Sequence, residues 1–253
     1  MSGQLFESSV RPVFFETGLE DFFYATHGGT LFLVEFMGRP YGITCGHVFG
    51  DFKPGTIVVG QDQVPKKGCK AAGIKGIWHP TNPTGEAVDS DVLDMAVLDF
   101  HEGIATDFFS GSAYLLDGDT AGSSEKGHFL QVFGTLKSQT KIEPPNIIWG
   151  FGHMDFYDRG ESTSDAVLRV GEGKWVESTI DNITGISGAP VMDRTTGKLC
   201  GMVVRGRVES GNAIIYFIDI LDIIHFLNSS IGGGFADYKR PVREKYSLFG
   251  PSR

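Results

Sequence analysis

Short apolar runs alternate with turn residues along most of the chain, which is the pattern of a protein built from strands. Residues 31–36 and 41–45 are largely apolar, and Met37-Gly-Arg-Pro40 between them has the character of a turn. We therefore predict a β-hairpin over residues 30–45. Comparable runs predict further strands at residues 13–15, 22–25, 55–59, 71–78, 95–100, 129–134, 147–154, 166–170, 175–179, 199–204 and 213–218.

The spacing of apolar residues changes near the end of the chain. Leu221, Ile223, Ile224 and Leu227 recur at the interval of one helix face, so residues 221–227 are predicted to form the one clear helix. Three consecutive glycines at 232–234 are expected to end it. The expected role of this helix is packing.

Composition supports a β-rich fold. The chain has 253 residues with 35 Gly, 11 Pro and 20 Phe, which suits many short strands and turns. That length fits one large all-β unit or two small domains. Because residues 101–127 are polar and rich in Gly, Ser and Asp, we predict units at 1–115 and 116–230, followed by a basic tail at 231–253.

Charge and cysteine usage limit the partners and the compartment. A formal net charge of −9 argues against a nucleic-acid partner, which would require clustered Lys and Arg. The N-terminus has no apolar run long enough for a signal peptide, and nowhere do 18 apolar residues follow one another, so neither a signal peptide nor a membrane span is expected. Three cysteines, Cys45, Cys69 and Cys200, do not make a disulfide framework and favour reduced thiols in a cytoplasm. The basic tail is a candidate contact for a regulatory partner.

The chemistry of the chain centres on the sequence Thr-Gly-Ile-Ser-Gly-Ala-Pro at residues 184–190. It presents Ser187 between Gly185 and Gly188, and glycine lets a backbone turn sharply and aim its N–H groups at a ligand. A serine nucleophile needs a nearby base and N–H donors for the developing oxyanion, and the N–H groups of Gly185 and Ser187 are the candidates. Taken alone, the motif also fits an ordinary β-turn.

Two motifs upstream of the serine complete a pattern. Residues 43–48, Ile-Thr-Cys-Gly-His-Val, resemble the histidine motif of chymotrypsin-like serine proteases. Residues 94–98, Asp-Met-Ala-Val-Leu, resemble the aspartate motif of that family, and residues 185–190 resemble its serine motif. All three occur in the family order of His, Asp and Ser. The chain is therefore similar to trypsin-like serine proteases over roughly residues 29–227.

The resemblance implies a fold and an activity. The fold would be all-β, with two antiparallel β-barrels and a C-terminal helix. In this arrangement His47 and Asp94 come from the first barrel and Ser187 from the second. His47 would act as general base, Asp94 would orient and stabilise the imidazole, and a protein or peptide would be the substrate, with no metal or organic cofactor. Asp91 is the main competitor for the role of the acid.

Substrate-binding residues also follow from the resemblance. Asp181, six residues before the serine, would lie at the base of the primary specificity pocket and favour Arg or Lys on the acyl side of the scissile bond. Val204, Arg205 and Gly206 resemble the strand that runs along the substrate backbone, with Gly206 keeping the pocket entrance open. Arg205 could select acidic substrate residues or pair with Asp181, which could also be simply a loop acid.

Three positions depart from the family pattern. Ile186 replaces the aspartate that pairs with a newly freed N-terminus in activated members, so activation by N-terminal cleavage is not expected. Val48 stands where secreted relatives carry a disulfide cysteine, which again fits a reducing compartment. Ala189 replaces the usual second glycine, a change that the turn is expected to tolerate.

Two rival interpretations remain. An α/β-hydrolase also uses Gly-x-Ser-x-Gly, but it requires an acid and then a histidine after the serine, and the candidates Asp222 and His225 lie in the predicted helix. A catalytically inactive protease-like scaffold or recognition module is the second rival, because fold does not imply activity. Loss of a residue of the site is expected in such a protein, whereas this chain keeps all of them.

Overall fold

The computed structural model describes residues 3–19, 24–26, 28–63, 70–80, 94–101, 104, 106–109, 111–143, 146–148, 150–164, 168–174 and 183–231. Within these ranges most residues with regular structure lie in strands. The predicted strand at 175–179 and the tail at 231–253, apart from residue 231, lie outside the described residues.

The first half of the chain opens with a short helix, α1 (Gly3–Ser8), that the sequence did not predict. It continues as ten strands: β1 (Val10–Pro12), β2 (Phe14–Glu16), β3 (Tyr24–Ala25), β4 (Thr30–Phe36), β5 (Arg39–Cys45), β6 (Ile57–Gly60), β7 (Ala71–Ala72), β8 (Ile74–Trp78), β9 (Met95–Phe100) and β10 (Tyr114–Leu115). Short 3-10 helices cover Gly46–Phe49, Pro54–Thr56 and Thr106–Phe109.

These strands form two sheets. The larger has the order β1-β4-β5-β9-β8, with β10 added beside β4, and the smaller has the order β3-β2-β6-β7. The predicted hairpin is confirmed as β4 and β5, with Phe32 opposite Ile43. Its turn places Met37 and Gly38 at φ values of 53° and 73°, the left-handed region that glycine adopts readily.

The second half of the chain closes into a barrel. Its strands are β11 (Phe129–Thr135), β12 (Lys141–Glu143), β13 (Asn146–Ile148), β14 (Phe151–Glu161), β15 (Leu168–Lys174), β16 (Pro190–Asp193), β17 (Lys198–Glu209) and β18 (Asn212–Asp219), with a 3-10 helix at Lys137–Gln139. The closed barrel has the order β11-β14-β15-β18-β17-β16, while β12 and β13 pair as a separate hairpin. The sheets and the barrel match the predicted chymotrypsin-like double-barrel fold. The boundary at 115/116 stays a prediction.

The predicted C-terminal helix is confirmed and is longer than predicted. Helix α2 (Ile220–Ile231) begins after Asp219, whose carboxylate accepts a hydrogen bond of 2.9 Å from the backbone N–H of Leu221. That contact is a helix N-cap, because it satisfies one of the N–H groups that a helix start leaves without a partner. In the part of the chain that the structure describes, no helix has the length and apolar character needed to cross a membrane.

Two apolar clusters hold the molecule together. The larger joins buried side chains of the first half, such as Phe32 and Val97, to Met202 of β17 and Ile224 of α2. The smaller fills the second barrel and includes Val203, Phe217 and Ile186. Because the larger cluster includes residues of both halves, burial of apolar surface stabilises the two halves against each other.

Candidate active site

The pair His47 and Asp94 is built where two neighbouring strands meet. Strand β5 ends at Cys45 opposite Met95, the first residue of β9, so the residues just beyond those two ends are neighbours. His47 lies in the 3-10 turn that follows β5, and Asp94 directly precedes β9. The backbone N–H of Gly46 donates a hydrogen bond of 2.6 Å to the carbonyl oxygen of Asp94 and fixes this junction.

Both carboxylate oxygens of Asp94 contact His47. Oδ1 accepts a hydrogen bond of 2.8 Å from the His47 backbone N–H, and Oδ2 contacts the ring nitrogen Nδ1. Because a carboxylate can only accept, a neutral His47 ring carries its proton on Nδ1 and has its lone pair on Nε2. The His47 side chain is 50% exposed and that of Asp94 is 14% exposed, so the ring has an open side.

A small residue before the histidine allows this contact. A Cβ added at Gly46 would lie 3.2 Å from Asp94 Oδ1 and 3.5 Å from the ring of His79. A larger side chain at position 46 would therefore push against the carboxylate that holds His47. The predicted competitor Asp91 lies outside the described residues.

The serine turn is shaped by two glycines with positive φ. Gly185 has φ 108° and Gly188 has φ 83°, so the backbone reverses on both sides of Ser187. Ile186 between them is 1% exposed and packs into the smaller apolar cluster. The position that carries an aspartate in activated members of the resembled family is thus an apolar anchor here.

Threonine hydroxyls fix the backbone of the turn. The carbonyl oxygen of Gly185 accepts a hydrogen bond of 2.8 Å from Thr30 Oγ1. Thr135 Oγ1 lies 3.1 Å from the same oxygen and 2.8 Å from the Gly29 carbonyl oxygen, and its one proton serves the two acceptors. The Thr135 backbone N–H in turn donates to Thr30 Oγ1 at 2.9 Å. With its carbonyl held in this way, the peptide of Gly185 has a fixed orientation. Among the described residues, the N–H groups of Gly185 and Ser187 donate no hydrogen bond, as an oxyanion site requires of its donors.

The serine turn packs directly on the strands that lead to His47. The Thr30 backbone N–H donates a hydrogen bond of 2.8 Å to the Ser187 carbonyl oxygen. A Cβ added at Gly188 would lie 2.0 Å from the Thr30 carbonyl oxygen and 2.5 Å from Thr44 Oγ1. Strand β5 therefore runs beside the turn three residues before His47. No hydrogen bond between Ser187 and His47 occurs among the described residues, and such bonds are often long without substrate.

One edge of the predicted substrate strand lies beside the serine turn. Strand β16 pairs with β17 only as far as Met202, and the Val203 backbone then exchanges hydrogen bonds with Gly188 and Ala189. Beyond Val203, no described strand pairs with that edge of β17. Val204 is the extra residue of a bulge, because Val203 pairs with Phe217 and Arg205 with Tyr216.

The side chains of the predicted substrate strand lie in different environments. Val204 is buried, and the Arg205 guanidinium lies over the Tyr216 ring at 4.6 Å from its centroid. This pair contributes to the wall of a cleft of about 290 Å³ lined by Ser164, Arg205, Gly206, Arg207 and Tyr216. A Cβ added at Gly206 would lie 2.4 Å from Ile183 Cδ1, so Gly206 makes room for Ile183. Asp181 lies outside the described residues.

A buried thiol lies beneath the histidine and the aspartate. Cys45 is fully buried, and its Sγ lies 3.2 Å from the Val203 carbonyl oxygen. Cys45 Sγ, a ring nitrogen of His47 and a carboxylate oxygen of Asp94 all lie within 4.8 Å of one another. Among the described residues, this is the only such cluster of three metal-ligating side chains.

Sequence reasoning missed the threonines that align the two halves. Thr30 and Thr135 are 105 residues apart in sequence and belong to different halves, so no local pattern connects them. Thr44, two residues before Gly46 in the predicted histidine motif, was the nearest sequence signal that pointed to this contact. Ile183 was also missed, because its contact with Gly206 joins two segments that are distant in sequence.

Comparison with known proteins gives a fold and no family. No family model matches the sequence, and no curated protein matches it. Among solved structures, an inactivated protease paralogue of the scabies mite is similar with a TM-score of 0.56 and 13% identity, covering 92% of this chain and 98% of that one. A thermostable serine protease from an extremophilic microorganism is similar with a TM-score of 0.52 and 15% identity, covering 85% of this chain and 92% of that one. At these identities the likeness shows the serine-protease fold alone.

Proposed function

We propose that this protein is a serine endopeptidase that cleaves peptide bonds through an acyl-enzyme formed on Ser187. One observation carries the proposal: the paired His47 and Asp94 side chains lie at the end of a strand that packs against the serine turn. The N–H groups that an oxyanion would need lie in that same turn. Fold similarity to serine proteases is consistent with this function.

The chemistry assigns one step to each group. Ser187 Oγ attacks the carbonyl carbon of the substrate while its proton passes to His47 Nε2, and Asp94 stabilises the resulting imidazolium. The N–H groups of Gly185 and Ser187 hold the negative oxygen of the tetrahedral intermediate. His47 then donates the proton to the leaving amine, which departs as the C–N bond breaks. A water molecule then attacks the acyl-enzyme through the same steps and restores Ser187.

The edge of β17 beyond Val203 is the proposed binding site for the substrate backbone. An extended peptide can add to an exposed strand edge through main-chain hydrogen bonds. Residues 204–206 of β17 lie next to the serine turn, and no described strand pairs with this edge. A peptide bound there in extended form would present its carbonyl carbons in sequence to the nucleophile.

Substitution of Asp94 by asparagine should reduce kcat by about 10⁴-fold, because an amide cannot hold the imidazole in the tautomer that frees Nε2. Hydrolysis of an unfolded, fluorescently labelled protein measures the effect. Asp155 is an exposed acid of β14, and Asp155→Asn removes the same charge away from His47. Equal rates for Asp94→Asn and Asp155→Asn would remove Asp94 from the mechanism.

We further propose that Asp181 favours Arg or Lys on the acyl side of the scissile bond. A carboxylate at the base of a pocket is costly when unpaired, and a cationic substrate side chain neutralises it. In a positional-scanning peptide library, preference for Arg and Lys should disappear in Asp181→Ala and persist in Asp155→Ala. Cleavage after apolar or acidic residues by the unsubstituted enzyme would contradict this specificity.

An inactive protease-like scaffold is the alternative function. Two observations favour it: one similar structure is of an inactivated protease paralogue, and Ser187 and His47 share no hydrogen bond among the described residues. Such a protein would bind peptides along β17 without cleaving them. Peptide binding with no turnover in the unsubstituted chain distinguishes the scaffold from the enzyme.

A cytoplasmic location and a regulatory contact through the tail at 231–253 are also proposals. Cys45 and Cys200, the two cysteines among the described residues, are buried and outside any disulfide, in keeping with a reducing compartment. The apolar burial of Ile186 supports a protein that is competent without an ion pair to a new N-terminus.

A further inference from the structure

We propose that Cys45, His47 and Asp94 form an inhibitory site for Zn²⁺ within the active site. The three side chains offer sulfur, nitrogen and oxygen, the set of ligands that zinc takes in proteins. Their ligand atoms lie within 4.8 Å of one another. The inference rests on the proposed function only for its inhibitory effect, since metal binding itself does not require proteolysis.

Zinc binding requires the three ligand atoms to shift. Zinc bonds of about 2.0 to 2.3 Å in a tetrahedral arrangement hold ligand atoms about 3.3 to 3.7 Å apart. His47 Nδ1 and Asp94 Oδ2 share a hydrogen bond and must move apart to admit the ion, whereas Cys45 Sγ must come within bonding distance of it. Rotation of the half-exposed His47 side chain can supply this change. A water molecule would take the fourth position on the exposed side of the ring.

The three side chains of the cluster differ in their exposure to solvent. His47 is 50% exposed and opens the site to solvent, whereas Cys45 is buried and its sulfur is screened from water. With the metal bound, Cys45 would be deprotonated, and its sulfur and the Asp94 carboxylate would supply two negative charges that match the charge of the ion. The cluster is thus open enough for a metal to enter and closed enough to hold it.

Zinc bound here would stop the proposed reaction by moving a proton. The ion takes the lone pair of His47 Nδ1, so the ring proton moves from Nδ1 to Nε2, and the Cys45 thiol releases its proton to solvent. Nε2 then bears a hydrogen and cannot accept the proton of Ser187. Asp94 becomes a metal ligand and no longer holds the ring, so nucleophile activation is lost while the fold is kept.

The first test measures inhibition. The zinc concentration for half-inhibition should rise at least about tenfold in Cys45→Ala, each variant being compared with its own zinc-free rate in the presence of EDTA. Cys200→Ala is the matched control, because Cys200 is also buried. Burial is the main cause, and the nearby Asp219 carboxylate the second, of a thiol pKa well above the ordinary value at Cys200. Equal zinc sensitivity of Cys45→Ala and Cys200→Ala would overturn the proposal.

The second test does not depend on activity or on the folding of Cys45→Ala. Co²⁺ added to the Ser187→Ala variant should give the near-ultraviolet charge-transfer band of a thiolate–cobalt bond, and Zn²⁺ should displace it. The band should persist when Cys200→Ala or Cys69→Ala is added and should be lost with His47→Ala. Absence of the band, or its survival in His47→Ala, overturns the metal site. A band in a protein that shows no proteolysis keeps the site and rejects only the proposed enzyme.

Discussion

Replacing Ser187 with alanine should lower the turnover of a peptide substrate by about 10⁶-fold, the loss seen when the nucleophile of a serine protease is removed. The physical reason is that no other hydroxyl is held in the turn between Gly185 and Gly188. Ser229→Ala, in the exposed part of helix α2, is the matched control and should leave turnover unchanged. The measurement is kcat on a fluorogenic peptide library.

His47→Ala should reduce turnover to a similar extent, and the double variant should be no worse than either single one. The base and the nucleophile act as one unit, so removing either removes the same step. His153→Ala, a half-exposed histidine on β14 paired with Glu7, is the control for loss of an imidazole. Additive losses in the double variant would show that the two residues act in separate steps.

Gly188→Ala should have the largest effect on folding of any single methyl group added to the serine turn. At φ 83° an L side chain costs about 1 to 2 kcal/mol. The new Cβ would also lie 2.0 Å from the Thr30 carbonyl oxygen, and overpacking of this kind costs about 1 to 3 kcal/mol. The free energy of unfolding should therefore fall by about 2 to 5 kcal/mol, as the sum of these two costs.

Gly197→Ala separates the two contributions. Gly197 has φ 76° and no atom within 4 Å of an added Cβ, so only the backbone cost of about 1 to 2 kcal/mol applies. Urea unfolding of both variants gives the comparison. If the two substitutions cost the same, the serine turn does not pack against β4 and β5 as described.

Several features could be predicted because they depend on local sequence. The β4–β5 hairpin follows from two apolar runs around a turn, and helix α2 follows from apolar residues at helical spacing. The approach of His47 to Asp94 was predicted from motif order, and the antiparallel pairing of β5 with β9 explains it. In each case a pattern of a few residues is enough to predict the feature.

Other features depend on contacts between distant segments. The need for glycine at 188 comes from Thr30, and the carbonyl of Gly185 is held by the Thr30 hydroxyl of the other half. Gly206, expected to keep a pocket entrance open, lines a cleft, and Ile183 lies where a Cβ at position 206 would go. The helix α1 escaped prediction because its six residues have no apolar repeat of their own. Asp181 and Asp91 lie outside the described residues, so the predictions on them stand as made.

Reaction of the purified protein with a fluorophosphonate tests the central claim most directly, because such a reagent modifies a serine only when a base and an oxyanion site activate it. Intact-mass analysis and peptide mapping should find one adduct, on Ser187, in the unsubstituted protein and in Ser229→Ala. Ser187→Ala and His47→Ala should carry none. A folded, unsubstituted protein that remains unlabelled at Ser187 would contradict the account and favour the scaffold.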